Sequence, residues 1–494
     1  MEPHDQSHER YYQALKARDA RFDGRFFVGV STTGIYCRAI CTARTPRSDR
    51  CTFYLNAAAA EAAGYRPCMR CRPEIAPGVA RMVAPVDAVR AAAHWAAARI
   101  EAGALNRGGV EQLAARYGIS ARQLRRVVET EYGVTPVALA QTRRLLLAKQ
   151  LLTDSTLGMA EVAQASGFSS VRRFNHLFRT RYGLNPGAMR RKGARAAAAD
   201  GAITLKLAYR PPLDWPRLLS FLVGRGAAGV ECEYEGRYVR TVLLDGHRGW
   251  FSAQPLPRHD ALQLQISAGL MPVLTPLISR VRGLFDLDAN PELIERQLAR
   301  HATLRAIVRR QPGLRVPGAV NGFELALRAI LGQQVTVKAA TTIFGRFAAA
   351  FGEMAETPYA GLRFFSPTAE RVAAASLAQL IRLGLTQKRA QTISTLAREV
   401  AEGRLLLETG VAPEQTMQQL QEIAGIGAWT ANYVAMRALN HPDAFPHSDL
   451  GLMQALELRK PKDILDLAEA WRPWRAYAAM HLWASLSDDI DKGA

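Results

Sequence analysis

Cysteine is scarce in this chain, and no long apolar run interrupts it. Six of 494 residues are cysteine, too few for a disulfide scaffold of this length. No stretch approaches the ~18 consecutive apolar residues of a membrane-spanning helix. The opening Met1–Arg10 is polar and charged, without the apolar segment of a secretory signal. The expectation is a soluble cytoplasmic protein with no membrane partner. Acidic side chains are the third shortage: 44 Asp and Glu stand against 64 Lys and Arg, a formal charge of +20. Residues 1–200 hold 31 basic and 16 acidic side chains (+15), leaving 33 and 28 (+5) for residues 201–494. Such an excess favours a polyanionic partner, without choosing between DNA, RNA and anionic lipid.

Length at about 150 residues per domain predicts roughly three domains, and 48% hydrophobic residues suffice for a core in each. Up to about Ala80, short apolar alternations (Phe26–Val30, Phe53–Leu55) are mixed with Gly, Pro and Cys, as in a small sheet pinned by something other than a large core. Helical spacing rich in Ala, Leu and Arg runs from about Pro85 to Arg190, and Lys192–Asp200 reads as a linker. Strand-like alternation follows at Ile203–Leu207, Tyr238–Leu244 and Leu262–Ile266, and helical patterning resumes after Phe285. The expected fold is multidomain α+β: a small α/β domain (1–80), an all-α domain (81–192), an antiparallel sheet subdomain (203–285) and an all-α domain (286–494), to which the motifs below add a zinc-bound site in the first, a tandem helix-turn-helix in the second and a helix-hairpin-helix in the last.

The helical segment contains a repeat with a period of 49 to 50 residues. Ala114-x3-Gly118-Ile119-Ser120 recurs as Ala163-x3-Gly167-Phe168-Ser169, and Tyr132-Gly133-x2-Pro136 as Tyr182-Gly183-x2-Pro186. A small Ala, a Gly at the tight turn and a Ser to cap the next helix are what two steeply crossing helices require. The helices after the two serines carry Arg122, Gln123, Arg125, Arg126 and Arg172, Arg173, Asn175, His176, Arg179, side chains able to reach phosphates and base edges. The arrangement resembles the AraC-type DNA-binding domain over residues 85–190.

Five of the six cysteines fall between Cys37 and Cys71. Cys37-x3-Cys41, a 26-residue gap and Cys68-x2-Cys71 supply two close thiolate pairs, the usual donor set of a tetrahedral zinc site. Cys51 and Cys232 lack a partner at ligand spacing and read as ordinary buried thiols. The surrounding Thr32-Thr33-Gly34-Ile35-Tyr36-Cys37-Arg38-x2-Cys41-x-Ala43-Arg44 and Ala63-Gly64-Tyr65-Arg66-Pro67-Cys68-x-Arg70-Cys71 closely resemble the N-terminal domain of Ada, the bacterial methyl-sensing repair protein. That resemblance implies Zn2+ held by Cys37, Cys41, Cys68 and Cys71, with Cys37 accepting a methyl group from a DNA methylphosphotriester. Arg44 and Arg66 are candidate phosphate contacts. The Pro-Cys-His-Arg motif of Ada's O6-alkylguanine repair domain does not occur, and that activity is not expected.

Farther along, Ile423-Ala424-Gly425-Ile426-Gly427-Ala428-Trp429-Thr430-Ala431-Asn432-Tyr433 has two glycines one residue apart. They allow a tight turn that leaves amides at a helix start free for a phosphate. With Phe445-Pro446-His447-Ser448-Asp449 and Trp471-x-Pro473-Trp474-Arg475-x-Tyr477-x3-His481-x-Trp483, this stretch resembles the helix-hairpin-helix glycosylases of the AlkA type, which act on 3-methyladenine. The likeness runs from about residue 203 to the end, through Tyr209-x-Pro211-Pro212-x-Asp214-Trp215, Ser267–Leu270, Leu284–Leu287 and Arg328–Val335. It implies Asp449 as the catalytic carboxylate, Phe221, Trp429, Tyr433 and Trp483 as pocket aromatics, and Gln334 at the position that fills the gap left by a flipped base. Gly425 and Gly427 would bind the DNA backbone. Trp429 stands where strand-cleaving relatives carry a nucleophilic Lys, so the expected enzyme is monofunctional and leaves an abasic site.

Together these resemblances imply an alkylation-response protein acting on double-stranded DNA at alkylated bases, methylphosphotriesters and promoter sites, with RNA polymerase as a further partner. A transcription factor whose C-terminal half has lost activity and only grips DNA is the alternative.

Overall fold

A computed structural model describes residues 3–78, 88–190 and 201–490. The expected linker Lys192–Asp200 lies outside the described residues. The chain forms two compact units, one of Met1–Pro211, Pro255–Ser279 and Leu287–Ala289, the other of Pro212–Gln254, Arg280–Asp286 and Asn290–Ala494. Among the described residues no helix is long and apolar enough to cross a membrane.

The first unit opens with helix α1 (Pro3–Lys16). Strands β1 (Phe27–Val30), β2 (Ile35–Arg38), β3 (Cys51–Tyr54) and β4 (Arg66–Pro67) form a sheet in the order β3-β1-β2-β4. The hairpin β1–β2 sets Val28 opposite Cys37, and β4 runs parallel to β2, so Pro67 sits beside Tyr36. That parallel pairing brings Cys68 next to the strand that carries Cys37, with Cys68 N donating to Tyr36 O at 3.0 Å. Helix α2 (Ala57–Ala62) covers the sheet and is capped by Asn56, whose side chain accepts from Ala59 N at 2.8 Å.

The all-α part holds α3 (Ala88–Glu101), α4 (Val110–Tyr117), α5 (Ala121–Tyr132), the long α6 (Pro136–Asp154), α7 (Met159–Ala165) and α8 (Val171–Tyr182). The two turns α4–α5 and α7–α8 are the expected repeat, and Gly118 and Gly167 take φ of +77° and +88° as their turns require. Ser120 caps α5 with a full capping box to Gln123. In the second copy the cap is Ser170, which accepts from Arg173 N at 3.2 Å. The expected Ser169 falls one position short, because this turn takes one more residue before the helix starts.

A buried polar cluster joins the sheet to these helices. Tyr36 and Tyr182 donate to Glu61 Oε1 at 3.1 and 3.0 Å, and Thr142 donates to Oε2 at 2.8 Å. Arg72 grips Asp154 bidentately at 2.8 and 2.7 Å and donates to Glu74 at 2.9 Å, while Lys149 pairs with the other Glu74 oxygen. Strands β5 (Ile203–Ala208) and β9 (Ala261–Ile266) pair antiparallel in the same unit.

The second unit contains α9 (Trp215–Gly224) and the antiparallel meander β6 (Glu231–Tyr234), β7 (Arg237–Leu244) and β8 (His247–Pro255). Its helical body includes α10 (Gly322–Leu331), α11 (Val337–Phe351), α12 (Gln387–Ala401), α13 (Pro413–Glu422), α14 (Ala428–Arg437), α15 (Leu450–Leu456) and α16 (Arg475–Ile490). Helices α10 and α14 bury Leu327, Ile330, Ala431 and Val434 fully, alongside the charged Glu324 and Arg437. The expected strands at 203–207, 238–244 and 262–266 are all present.

Candidate functional site

There are two sites, one within each unit. In the first, the sulfurs of Cys37, Cys41, Cys68 and Cys71 all lie within 4.8 Å of one another. Four thiolates on one tetrahedral zinc sit about 3.8 Å apart, given Zn–S bonds near 2.3 Å. The donor set is all sulfur, three of the four residues are buried, and the pocket fits a structural zinc. The protein binds zinc here.

The peptide around the cluster is braced. Arg38 N donates to Cys71 Sγ at 3.3 Å and Arg70 N to Cys68 Sγ at 3.4 Å, and the Ala43 backbone bonds Cys41. The Arg38 side chain, only 5% exposed, forms a bidentate ion pair with Asp23 and donates to Cys71 O at 3.0 Å. Sequence reading passed over Arg38 as an anchor because it lies inside the cysteine motif. Arg44 is exposed beside the cluster, whereas Arg66 lies half-buried on β4. Cys51 sits outside the cluster, donating to Arg47 O at 3.3 Å, and burial pushes its thiol up to about 11. On the helix-turn-helix pair, Arg122, Arg126, Arg172 and Arg173 are all exposed on one turn or another of α5 and α8, while Leu124, Val128, Phe174 and Phe178 form the buried stripes.

The second site is a cavity of about 390 Å³, lined by Phe221, Trp429, Tyr433, Trp483 and Asp449 among others. Trp429 stacks on Tyr433 with ring centroids 5.3 Å apart and planes within 8°, the consequence of an i, i+4 spacing on α14. Asp449 is held from two directions: Trp429 Nε1 donates to Oδ2 at 2.9 Å, and Trp483 Nε1 to Oδ1 at 2.8 Å. It also caps α15, accepting from Leu452 N at 3.1 Å. A capping role and a place in the cavity are therefore compatible, since each carboxylate oxygen accepts more than one donor. Gly451 leaves room beside it: a Cβ there would stand 3.0 Å from Asp449 Oδ1 and 3.1 Å from Trp483, crowding both.

Three arginines in the cavity wall escaped sequence reading: Arg225, Arg328 and Arg437. Nothing in their spacing marks them, since they come from three separate helices or helix ends. Arg328 bonds Glu231 and Glu324 at 2.7 and 3.0 Å, and Arg240 pairs with the same two acids, which closes a buried two-by-two network. Burial acts to raise the Glu231 carboxyl, but Arg240 and Arg328 outweigh it and hold it at about 2. Arg437 donates to Tyr433 Oη at 2.9 Å and to the Pro317 and Gly318 carbonyls. Burial alone would raise the Tyr433 hydroxyl; the charges of Arg437 and Arg225 bring it below its ordinary value. The Phe221 ring carries the guanidinium of Arg225 at 4.0 Å and that of Arg437 at 5.1 Å, so its face is already engaged by cations.

Around the cavity, the hairpin between α13 and α14 is built as its two glycines suggest. Gly425 has φ of +95°, and a Cβ there would sit 2.2 Å from Thr392 Oγ1, whereas Gly427 faces open space at the start of α14. Ala424 offers its carbonyl to Thr392 at 2.8 Å. Gln334 is exposed with φ of +55°, in a loop tied down by its neighbour: Gln333 donates to Gly425 O and Thr430 Oγ1, and Arg389 donates to Gln333 O.

Family models match four successive stretches of the chain: the metal binding domain of Ada over residues 10–74, a helix-turn-helix domain over 113–192, the AlkA N-terminal domain over 204–321, and the HhH-GPD superfamily of base excision DNA repair proteins over 327–464. The DNA-3-methyladenine glycosylase 2 of Escherichia coli K12 is 38% identical over 277 residues, covering 56% of this chain and 95% of that protein. The bifunctional transcriptional activator/DNA repair enzyme Ada of the same organism is 48% identical over 66 residues, 13% of this chain and 19% of Ada. The "Probable bifunctional transcriptional activator/DNA repair enzyme AlkA" of Mycobacterium tuberculosis is 38% identical over 492 residues, covering 98% of this chain and 97% of that protein. Similarity that extends through all four stretches in one relative, end to end, makes this chain a member of the AlkA family of bifunctional transcriptional activators and DNA repair enzymes.

Proposed function

We propose that the two sites perform separate chemistry on alkylated DNA, a one-time methyl capture at Cys37 and a repeated base excision at Asp449. Zinc, when bound by Cys37, Cys41, Cys68 and Cys71, keeps their sulfurs as thiolates at neutral pH. Cys37 Sγ attacks the methyl carbon of a DNA methylphosphotriester. The S–CH3 bond forms as the CH3–O bond breaks, and the phosphate leaves as an ordinary diester anion. Cys37 is chosen among the four on the resemblance of its surrounding motif to the Ada zinc domain, whose family model matches residues 10–74. Capture turns a thiolate into a neutral thioether and removes a negative charge from a surface that meets phosphates, so DNA binding tightens. Arg44 and Arg66 contact the flanking backbone. The paired helix-turn-helix units then read a promoter through Arg122, Arg126, Arg172 and Arg173, where RNA polymerase is the partner of the bound activator.

In the second unit the reaction is hydrolysis of the N-glycosidic bond of alkylated purines such as 3-methyladenine. The observation that carries this reading is Asp449, both of whose oxygens are fixed by indole N–H groups in a wall of aromatic rings. A carboxylate held still needs no reorganisation to stabilise the positive charge that the sugar gains as the bond breaks, or to activate the attacking water. Trp429, Tyr433 and Trp483 surround the flipped base, Gln334 enters the gap it leaves, and the amides at Gly425 and Gly427 hold the backbone. With Trp429 at the hairpin and no amine nucleophile there, the product is an abasic site. Base release from methylated duplex is measured with the wild type and Asp449→Asn, which keeps the cap on α15. Release by the wild type and its loss in the variant are expected; equal release by both rejects Asp449.

A further inference from the structure

Most charged groups lining the glycosylase cavity have partners, and one does not. Arg328 is neutralised by Glu231 and Glu324, and Arg437 spends its donors on Tyr433 and two carbonyls. Arg225, at the C-terminal end of α9, makes no hydrogen bond or ion pair from its guanidinium to a described residue; it lies over the Phe221 ring, and the charges it feels are those of Tyr433, Asp449 and the other two arginines. Its position is fixed from behind, because its own carbonyl accepts from Arg328. The cavity therefore presents a positioned set of N–H donors that the protein itself leaves unanswered. Arg225 is half-buried in the cavity wall, where its donors suit an acceptor on a bound molecule.

Guanidinium is donor-only, so it discriminates between purines at their six position. A 6-oxopurine offers O6 and N7 as adjacent acceptors, the pair that arginine grips bidentately, whereas a 6-aminopurine turns an N–H2 donor toward it. Alkylation at N3 leaves this edge intact in both. The two N3-methylated nucleosides carry the same positive charge, so repulsion from Arg225 is common to both and cancels in a comparison between them. We propose that Arg225 is a specificity-determining residue that reads the 6-oxo edge of the flipped base and favours N3-alkylated guanine over N3-alkylated adenine. This assignment rests on the excision reading of the same cavity. Phe221 serves as the platform that holds the guanidinium flat, which explains why its ring is covered by cations.

One methylated duplex contains both bases, so the test carries its own control. The ratio of 3-methylguanine to 3-methyladenine released by the full-length protein is compared with that of Arg225→Met and Arg225→Lys. A lost bidentate contact lowers the ratio at least about tenfold in Arg225→Met, with Arg225→Lys in between because it keeps the charge and one donor direction. An unchanged ratio overturns the proposal, as does an equal fall in both products. Titration of the free base 3-methylguanine, read by quenching of indole fluorescence, separates this from a failure of catalysis. Binding weakened by Arg225→Met in a protein that releases neither base rejects hydrolysis and supports the edge reading; equal binding by wild type and variant overturns it.

Discussion

The zinc cluster and the aromatic cavity hold reactive anions in opposite ways. In the cluster, four like groups are forced together within 4.8 Å, and crowding by itself is unfavourable until a dication joins them. In the cavity, a lone carboxylate is held by neutral indoles that hydrogen-bond it without cancelling its charge. On the proposed reading the first arrangement suits a group used once, since methylation of Cys37 would change the ligand set for good. The second suits turnover, because nothing in Asp449's surroundings is consumed. The difference teaches that the type of support around an anion, metal or dipole, follows from whether the reaction must return to its start.

The sharpest way to break this comparison is a double exchange. Asp449→Asn is expected to lower base release by about 10²- to 10³-fold while mass spectrometry still finds one methyl on the Cys37 peptide. Cys37→Ala is expected to show no methyl on any ligand while release is unaffected; a methyl on Cys41, Cys68 or Cys71 would sink the assignment. Removing zinc with a chelator is the next largest effect. The sheet β1–β4 loses its pin, and far-ultraviolet dichroism and proteolysis should report unfolding there, metal-site binding energies being of order 10 kcal/mol, with base release retained.

Smaller effects test what supports each site. Glu61→Leu leaves Tyr36, Tyr182 and Thr142 without their shared acceptor and should cost the first unit about 3 kcal/mol in denaturant unfolding. In the second unit, burial first, and then Arg217, holds the His481 imidazole down at about 4. Its ring is neutral in the folded state and bonded to Gln311 at 3.3 Å. Because the folded value lies below the unfolded one, its contribution is complete above pH ~6.5 and is lost as pH falls toward 4, at most about 3 kcal/mol. His481→Gln should flatten that part of the acid unfolding curve. The two hairpin glycines differ most finely. Gly425→Ala meets both a positive φ and Thr392 and should destabilise by about 1–2 kcal/mol, whereas Gly427→Ala leaves the melting temperature unchanged and weakens DNA binding a few-fold.

Much of this was legible in the chain because the decisive residues are local. Cys37-x3-Cys41 and Cys68-x2-Cys71 each place two sulfurs on one turn, and Trp429 and Tyr433 are one helical turn apart, so spacing alone predicts their company. The repeated Ala-x3-Gly motif located both helix-turn-helix units, and missed only which of two adjacent serines caps α8. What escaped were side chains whose partners lie elsewhere in the fold, beyond any motif of fixed spacing. Arg38 finds Asp23, Lys149 finds Glu74, and Arg328 finds Glu231 nearly a hundred residues away. In composition they were only part of a basic excess.

That excess marks the division between the two sources of knowledge. By itself the sequence determined the donor set for zinc, the repeat, the hairpin and the candidate carboxylate, because each depends on residues within a few turns or on a motif of fixed spacing. Which arginines are neutralised and which one is left facing the cavity was decided by tertiary structure alone. A charge of +20 is a sum, and only folding assigns each guanidinium its carboxylate, its carbonyl or, for Arg225, an empty direction toward the base.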